Sequence, residues 1–354
     1  MGEKSLKRIF ALILACFSLH SFAEEVSGLY TGLVPVVDQS AQSRDLALMQ
    51  ALTQVLVKLT GNSTIMQSSK LQPFLTNPNA FVSGIGFRNI PSADDQEQAG
   101  MEVSFDRQAL DQVIRQAQLP VLPSNRPRLL VWIIRDDALL GRDFEGLDSD
   151  SAALQSFDRA MQRRGMPYVL PNFDLQDQLA LSVNEAWSLR ADLISPASQR
   201  YNTDGWIALR YYTTSSGEVR GAWLYQSAGR RQLNDFRADA GEEFMPDAVA
   251  SLVDSLSRFY TYIPQLNISE FLLRINGVTS FADYQAVLAQ FKKLEVVDSV
   301  QLFAVKGDQL TLVVDAEAGA DLLNSALLRS GRVEAIDTPE QILGVGFAYN
   351  WINK

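Results

Sequence analysis

The sequence predicts an α+β protein of three small modules behind an export leader: a βαββα unit, an α/β sandwich and a ferredoxin-like βαββαβ unit. Three observations carry that prediction. Extended runs rich in β-branched residues alternate with segments of helical apolar spacing, so strands and amphipathic helices take turns along the chain. Leu119-Pro120-Val121-Leu122-Pro123, followed by Arg126-Pro127, disfavours helix and reads as a linker. The closing segment then repeats the opening strand–helix pattern. At 354 residues the chain is long enough for several cores, and the predicted divisions are 1–23, 24–122, 127–263 and 268–354.

The leader comes first. Lys4, Lys7 and Arg8 form a basic region, Ile9 to Phe17 an apolar one, and Ser21-Phe22-Ala23 a small-residue cleavage site. The apolar run is shorter than the roughly 20 residues a membrane span needs, and no later stretch reaches that length. The expected location is therefore periplasmic. Acylation at Cys16, after Ile13-Leu14-Ala15, is the alternative; Leu14 is bulky for such a site and the apolar run continues past the cysteine.

Cleavage changes the available chemistry. The one Cys (Cys16) and the one His (His20) both lie in the leader. The mature chain then lacks disulfides, a thiol nucleophile, Ser-His-Asp catalysis and zinc or copper sites built on Cys or His. Removing three basic residues and one acid takes the formal net charge from −10 to −12. A surface that acidic repels phosphate backbones, so nucleic acid is not an expected partner.

The first module is organised around Gly28 to Gly61. A strand from Leu29 to Val37 feeds a helix opening near Ser43, with Leu48, Leu52, Val55 and Leu59 on one stripe and Gly61 as its left-handed stop. An extended piece from Phe81 to Ile90, a turn from Asp94 to Gly100 and a strand from Met101 to Phe105 follow. A helix from Arg107 to Gln118, capped by Asp106, completes the order. Gly84-Ile85-Gly86 resembles a fragment of a phosphate-binding loop, but it lacks a third glycine and sits in an extended run. A bulge or tight strand packing is the better reading.

The Tyr30 to Val37 strand, Arg44 leading the helix, and Val55-Leu56-Val57-Lys58-Leu59-Thr60-Gly61 together resemble the exported gammaproteobacterial family catalogued as domain of unknown function 2066. The resemblance covers most of the mature chain. It implies localisation and architecture; that family has no established activity, so no catalytic residues carry over.

In the second module a buried strand, Leu129 to Ile134, precedes a helix from Ser151 to Arg164 stopped by Gly165. A short strand (Tyr168 to Leu170) leads to a helix capped by Asp174, with Leu175, Leu179, Val183 and Trp187 facing inward, and a helical piece around Pro196 to Arg200. Strands Trp206 to Tyr212, Glu218 to Gln226 and Leu233 to Ala238 then form a meander before a helix from Pro246 to Tyr262. This order is similar to the middle domains of bacterial envelope-assembly proteins, such as the amino-terminal part of TolB or curli secretion factors; fold-level likeness implies no activity.

The third module reads strand (Leu272 to Ile275), helix opened by Ser280 and Asp283, strands Val296 to Val305 and Leu310 to Asp315, helix Ala320 to Arg329 and strand Val333 to Ile336. The tail Val345, Phe347, Tyr349, Trp351 alternates as a closing strand would.

Two groups of residues are candidate binding sites. Trp206, Tyr211, Tyr212, Trp223 and Tyr225 crowd one hairpin; exposed, they would form an aromatic surface, whereas a two-faced sheet would bury them under helices. Asp136 and Asp137 lie just beyond the first strand of the sandwich, where open α/β sheets tend to bind ligands, and could take a hard cation or act as acid and base. No nucleophile motif, cofactor signature or metal-ligand spacing accompanies them. The expected function is a non-catalytic interaction or assembly module whose partner is an envelope protein or cell-wall component. Carboxylate-based glycan hydrolysis, which needs neither His nor Cys, and capture of a cation or small ligand are the alternatives.

Overall fold

The computed structural model describes residues 26–352, apart from 27, 39, 92–96, 147–150, 228, 265–267 and 337–345. The leader with Cys16 and His20, the start of the Asp94 to Gly100 turn, and Val345 lie outside the described residues. Among the described residues the fold is mixed α/β, with three sheets and helices packed on them.

The first sheet has the order β1-β3-β2. Strand β1 (Thr31–Pro35) leads through helix α1 (Ala41–Thr60) to β2 (Val82–Pro91), β3 (Glu97–Phe105) and α2 (Arg107–Gln116). The stripe of Leu48, Leu52, Val55 and Leu59 is buried against β1 and β3. Gly61 ends α1 at φ 67°, its N–H bonded to the carbonyl of Val57. A side chain there would also run into Ser257 Oγ, so a glycine is needed for conformation and for space. The bulge expected near Gly84-Ile85-Gly86 lies between Val82 and Gly84, within a regular hairpin strand.

The second sheet runs β5-β4-β7-β8-β9, with β6 also pairing β4. Its strands are β4 (Leu129–Asp137), β5 (Gly141–Glu145), β6 (Tyr168–Val169), β7 (Gly205–Thr213), β8 (Val219–Ser227) and β9 (Arg230–Ala238). Helices α3 (Ala152–Arg164) and α7 (Met245–Tyr260) cover the face carrying Val131, Ile133, Leu209 and Trp223. Short helices α4 (Leu175–Ala180), α5 (Val183–Trp187) and α6 (Ala191–Ser198) cover part of the opposite face, over Leu130, Trp132, Trp206 and Leu224. The single helix expected from Asp174 to Trp187 is two. Leu181 is extended, and Ser182 with Glu185 makes a capping box that opens a new axis. Leu175 and Leu179 therefore point to solvent, at 69% and 80% exposure.

The third sheet has the order β11-β12-β10-β14-β13. Strand β10 (Ser269–Asn276), α8 (Phe281–Lys292), β11 (Val297–Lys306), β12 (Gln309–Ala316), α9 (Ala320–Arg329) and β13 (Val333–Ala335) follow the expected βαββαβ order. The tail strand β14 (Phe347–Trp351) departs from the split arrangement. It inserts parallel to β10 and antiparallel to β13, displacing β13 to the edge. Tyr349 and Trp351 explain the position, since both are buried in this core.

The proline-rich stretch is no exposed linker. Val121 exchanges backbone hydrogen bonds with Tyr262 (2.7 and 3.1 Å), and the N–H of Leu122 donates to Leu59 (2.8 Å). Buried Arg126 donates to the carbonyls of Pro123, Arg164, Gly165 and Lys58, at 3.2, 2.8, 2.9 and 2.5 Å. One guanidinium thus ties the ends of α1 and α3 together.

Beside it, Lys58 donates to the carbonyls of Gly28 and Thr31 (3.2 and 2.8 Å). Burial, then the neighbouring Arg126, pulls its ammonium down to about 8 from 10.5. The native state therefore sheds this proton before the unfolded chain does. Between those values the unfolded chain holds more protons, so stability rises with pH. Chemical denaturation from pH 8 to 10 is expected to show a gain of about 1–2 kcal/mol, and Lys58→Met is expected to flatten it. The window closes near pH 10 because buried phenols such as Tyr30 and Tyr262, raised by burial, act in the opposite sense.

Candidate functional site

The hairpin aromatics are divided between the two faces of the second sheet, as strict side-chain alternation requires. Tyr211, Trp223 and Tyr225 lie under α3 and α7, and Trp206 under α6; their exposures run from 0% to 6%. Most of their polar tips are engaged inside the fold. Tyr211 Oη donates to Glu145 (2.5 Å), Tyr225 Oη pairs with Tyr260 Oη (2.9 Å), and Trp206 Nε1 donates to Ser195 Oγ (3.2 Å). Trp223 Nε1 is buried without an acceptor among the described residues. Of the five expected aromatics only Tyr212 reaches solvent, at 38% exposure.

Asp136 and Asp137 are the last two residues of β4, not beyond it, because β4 continues into a hairpin with β5. As neighbours in a strand they point to opposite faces and do not converge on one ion. Asp136 pairs with Arg142 (3.0 Å). Asp137 accepts the N–H groups of Leu139 and Leu140 (2.8 and 3.0 Å), which hold its carboxyl below the usual range. Among the described residues no group of three or more His, Cys, Asp or Glu is placed to hold a metal ion.

The structure joins Tyr212 and Asp136 to residues that sequence reasoning did not single out. Register sets Arg142 opposite Asp136, Asp136 beside Tyr212, Tyr212 opposite Arg220, and Arg220 opposite Arg237. One transverse row therefore crosses β5, β4, β7, β8 and β9 on the face that α4–α6 only partly cover. Trp187, at the end of α5, closes its covered side. Its ring lies under the guanidiniums of Arg142 (4.7 Å) and Arg210 (5.2 Å) and 6.4 Å from Tyr212. Arg210 also donates to the Trp187 carbonyl (2.6 Å), and Arg142 to Asn184 (3.1 Å). An open groove of ≈ 550 Å³ runs past Trp187, Arg210, Tyr212, Arg220, Asp235 and Arg237.

The electrostatics favour an anion. Arg220 is held above its ordinary value by a hydrogen bond from its guanidinium to Glu218; that pair spans 3.0 Å. Arg237 stands directly opposite it, a like-charge pairing that destabilises a sheet unless something negative sits between. Guanidinium forks hold carboxylates bidentately, and flat aromatic neighbours leave room for an extended ligand. The charged residues of the outer strands β5 and β9 were the available sequence signal. Nothing short of the register shows that they align.

A second cleft, ≈ 280 Å³, lies where α2 meets α8. It contains Asp111 and Glu295, and Arg107 pairs with both, at 3.6 and 3.1 Å. Tyr30 Oη donates to Asp111 (2.7 Å) and the Ser124 N–H to Glu295 (2.8 Å). These carboxylates clasp the first and third sheets together through shared partners.

Residues 23–123 match the family described as Domain of unknown function (DUF8605). That match supports the reading of a domain without an assigned activity, under a different number from the family that the sequence resembles. No curated protein matches the chain. Among solved structures, the LpoB C-terminal domain from Salmonella enterica aligns at 10% identity, over 32% of this chain and 82% of that one, with a TM-score of 0.22. A structure titled only as an uncharacterized protein aligns at 10% identity, over 38% and 88%, with a TM-score of 0.15. A homoserine dehydrogenase of S. aureus aligns at 20% identity, over 30% and 27%, with a TM-score of 0.14. Scores this low do not define a shared fold. Among the described residues no helix is long and apolar enough to cross a membrane.

Proposed function

We propose that this chain is a non-catalytic interaction protein of the bacterial envelope, exported to the periplasm, with modules at 24–122, 127–263 and 268–354. On this reading it is a member of the domain of unknown function 2066 family, and its partner is an envelope protein or cell-wall component presenting carboxylates. The observation that carries the proposal is the row Arg142–Asp136–Tyr212–Arg220–Arg237, left uncovered beside Trp187 on an otherwise acidic protein. Tyr212 and Arg237 are the exposed residues a ligand in the groove would meet, while Arg142 and Arg210 hold the Trp187 wall. Each interaction is modest, so affinity rests on Arg237, the neighbouring Arg220 and the Tyr212 ring acting together.

Titration with a polyglutamate peptide and with carboxylate-bearing cell-wall fragments, followed by calorimetry, tests the reading. At least one should bind in a salt-sensitive manner. Tyr212→Ala combined with Arg237→Glu should weaken that binding at least about tenfold, the loss of one charge-assisted contact or more, with an unchanged melting temperature. Equal binding by wild type and variant, or no binding of either probe, would sink it. Amino-terminal sequencing of protein recovered from periplasm tests the address separately.

A further inference from the structure

The first sheet has two edges, and they are treated differently. At β1 the side-chain amide of Gln54 takes both backbone groups of Leu33: Nε2 donates to its carbonyl and Oε1 accepts its N–H, each at 3.0 Å. Lys58 takes the Thr31 carbonyl beside it. That edge is sealed. At β2, residues Ser83 to Asn89 are all exposed, with Ile85 at 51% and Phe87 at 49%. Open strands with apolar side chains invite a further strand.

The other long or terminal edges among the described residues are blunted. Strand β11 exposes Leu302, Phe303 and Val305 but is broken by two register shifts, β9 carries Arg230, Arg231, Asp235 and Arg237, β5 is five residues long with Arg142, Asp143 and Glu145, and β13 is three residues long. Strand β2 is regular from Gly84 onward. On one of its faces it has no side chain at Gly84 and Gly86. A Cβ at Gly86 would meet nothing within 4 Å, and one at Gly84 only Ser104, at 3.9 Å.

The sequence of β2 is complementary to itself about Gly86. Laid antiparallel on itself, its regular part sets Ile85 against Phe87 and Gly84 against Arg88. Apolar meets apolar, and the longest side chain meets an empty position. Arg88, paired with Glu102 at 2.9 Å, does not meet its own copy. A surface that complements itself in this way is what a two-fold interface requires.

We infer that β2 is a homodimerisation strand: two copies of the chain join antiparallel about a two-fold at Gly86, making one six-stranded sheet, β1-β3-β2 continued by β2-β3-β1 of the second copy. Apolar contact between Ile85 and Phe87 and a new backbone ladder would hold it. The Pro91 nitrogen, which has no hydrogen to donate, ends the ladder.

Sedimentation velocity on the full-length protein purified from cells tests this. Wild type should be a dimer. Ile85→Glu alone and Phe87→Lys alone should each be monomeric. Combined in one chain they should restore the dimer, because each new charge then faces its opposite across the two-fold. Circular dichroism verifies folding. Should either single variant misfold, a Gly86→Cys chain in a Cys16→Ser background should crosslink to itself under oxidation, and an Asn89→Cys chain should not. A monomeric wild type, single variants that stay dimeric, or crosslinking at 89 in preference to 86 would overturn the proposal.

Discussion

Replacing Arg126 by methionine is expected to destabilise the protein by about 3–5 kcal/mol, through stranded backbone acceptors and no change in core volume. Its guanidinium serves four carbonyls, belonging to Pro123, Lys58, Arg164 and Gly165. Two of these, at Arg164 and Gly165, close the end of α3, where carbonyls lack partners within the helix. Burial, opposed by Glu295 and aided by Arg164, depresses Arg126 to about 10. Deleting the charge therefore returns some desolvation energy, yet the orphaned acceptors outweigh it. Lysine is not an adequate substitute, because one ammonium cannot span acceptors that a planar fork reaches from two sides. The effect should also be visible in cooperativity. Calorimetry of wild type should show one dominant transition, and Arg126→Met should resolve into separate ones as the tie between α1 and α3 is lost. A melting curve that keeps its midpoint and its single transition would refute this account.

Gly32→Val is expected to lift α1 off β1 and cost at least about 3 kcal/mol, the upper range for overpacking in a core. A Cβ at Gly32 would stand 2.6 Å from the Ala51 carbonyl oxygen and 2.8 Å from both its Cα and Cβ. Two of these three atoms are backbone, so no rotamer change relieves the contact. Ala51→Gly removes only the third, and the double variant should stay close to the single one in urea denaturation. Full rescue by Ala51→Gly would show that the clash is between side chains after all. The Gln54 clamp on Leu33 depends on the same close approach, so the edge it seals should open in the Gly32→Val chain.

Much of the fold was legible locally. Asp106, Ser151, Asp174 and Ser280 cap the helices they were expected to cap, and Gly61 and Gly165 take the left-handed conformation that stops them. Caps and stops are contacts between residues a few positions apart, which spacing alone reveals. The break before α5 was legible too, since Ser182 and Glu185 are a capping box; the apolar stripe from Leu175 to Trp187 masked it. Strand β5 escaped notice because five residues, Gly141-Arg-Asp-Phe-Glu145, carry little β pattern of their own and owe their conformation to pairing with β4.

The sequence by itself determined the alternation of strands and helices, their caps, and an aromatic hairpin in the middle sheet. Tertiary structure decided what those residues are for. It sent Trp206 to one face and Tyr211, Trp223 and Tyr225 to the other, and left Tyr212 in the open. It aligned Arg142, Asp136, Arg220 and Arg237 beside Tyr212, inserted β14 between β10 and β13, and turned a proline-rich boundary into a buried tie. The reason is one of range. Local preference depends on neighbours along the chain, whereas register, strand order and the layer that covers a face depend on groups scores of residues away.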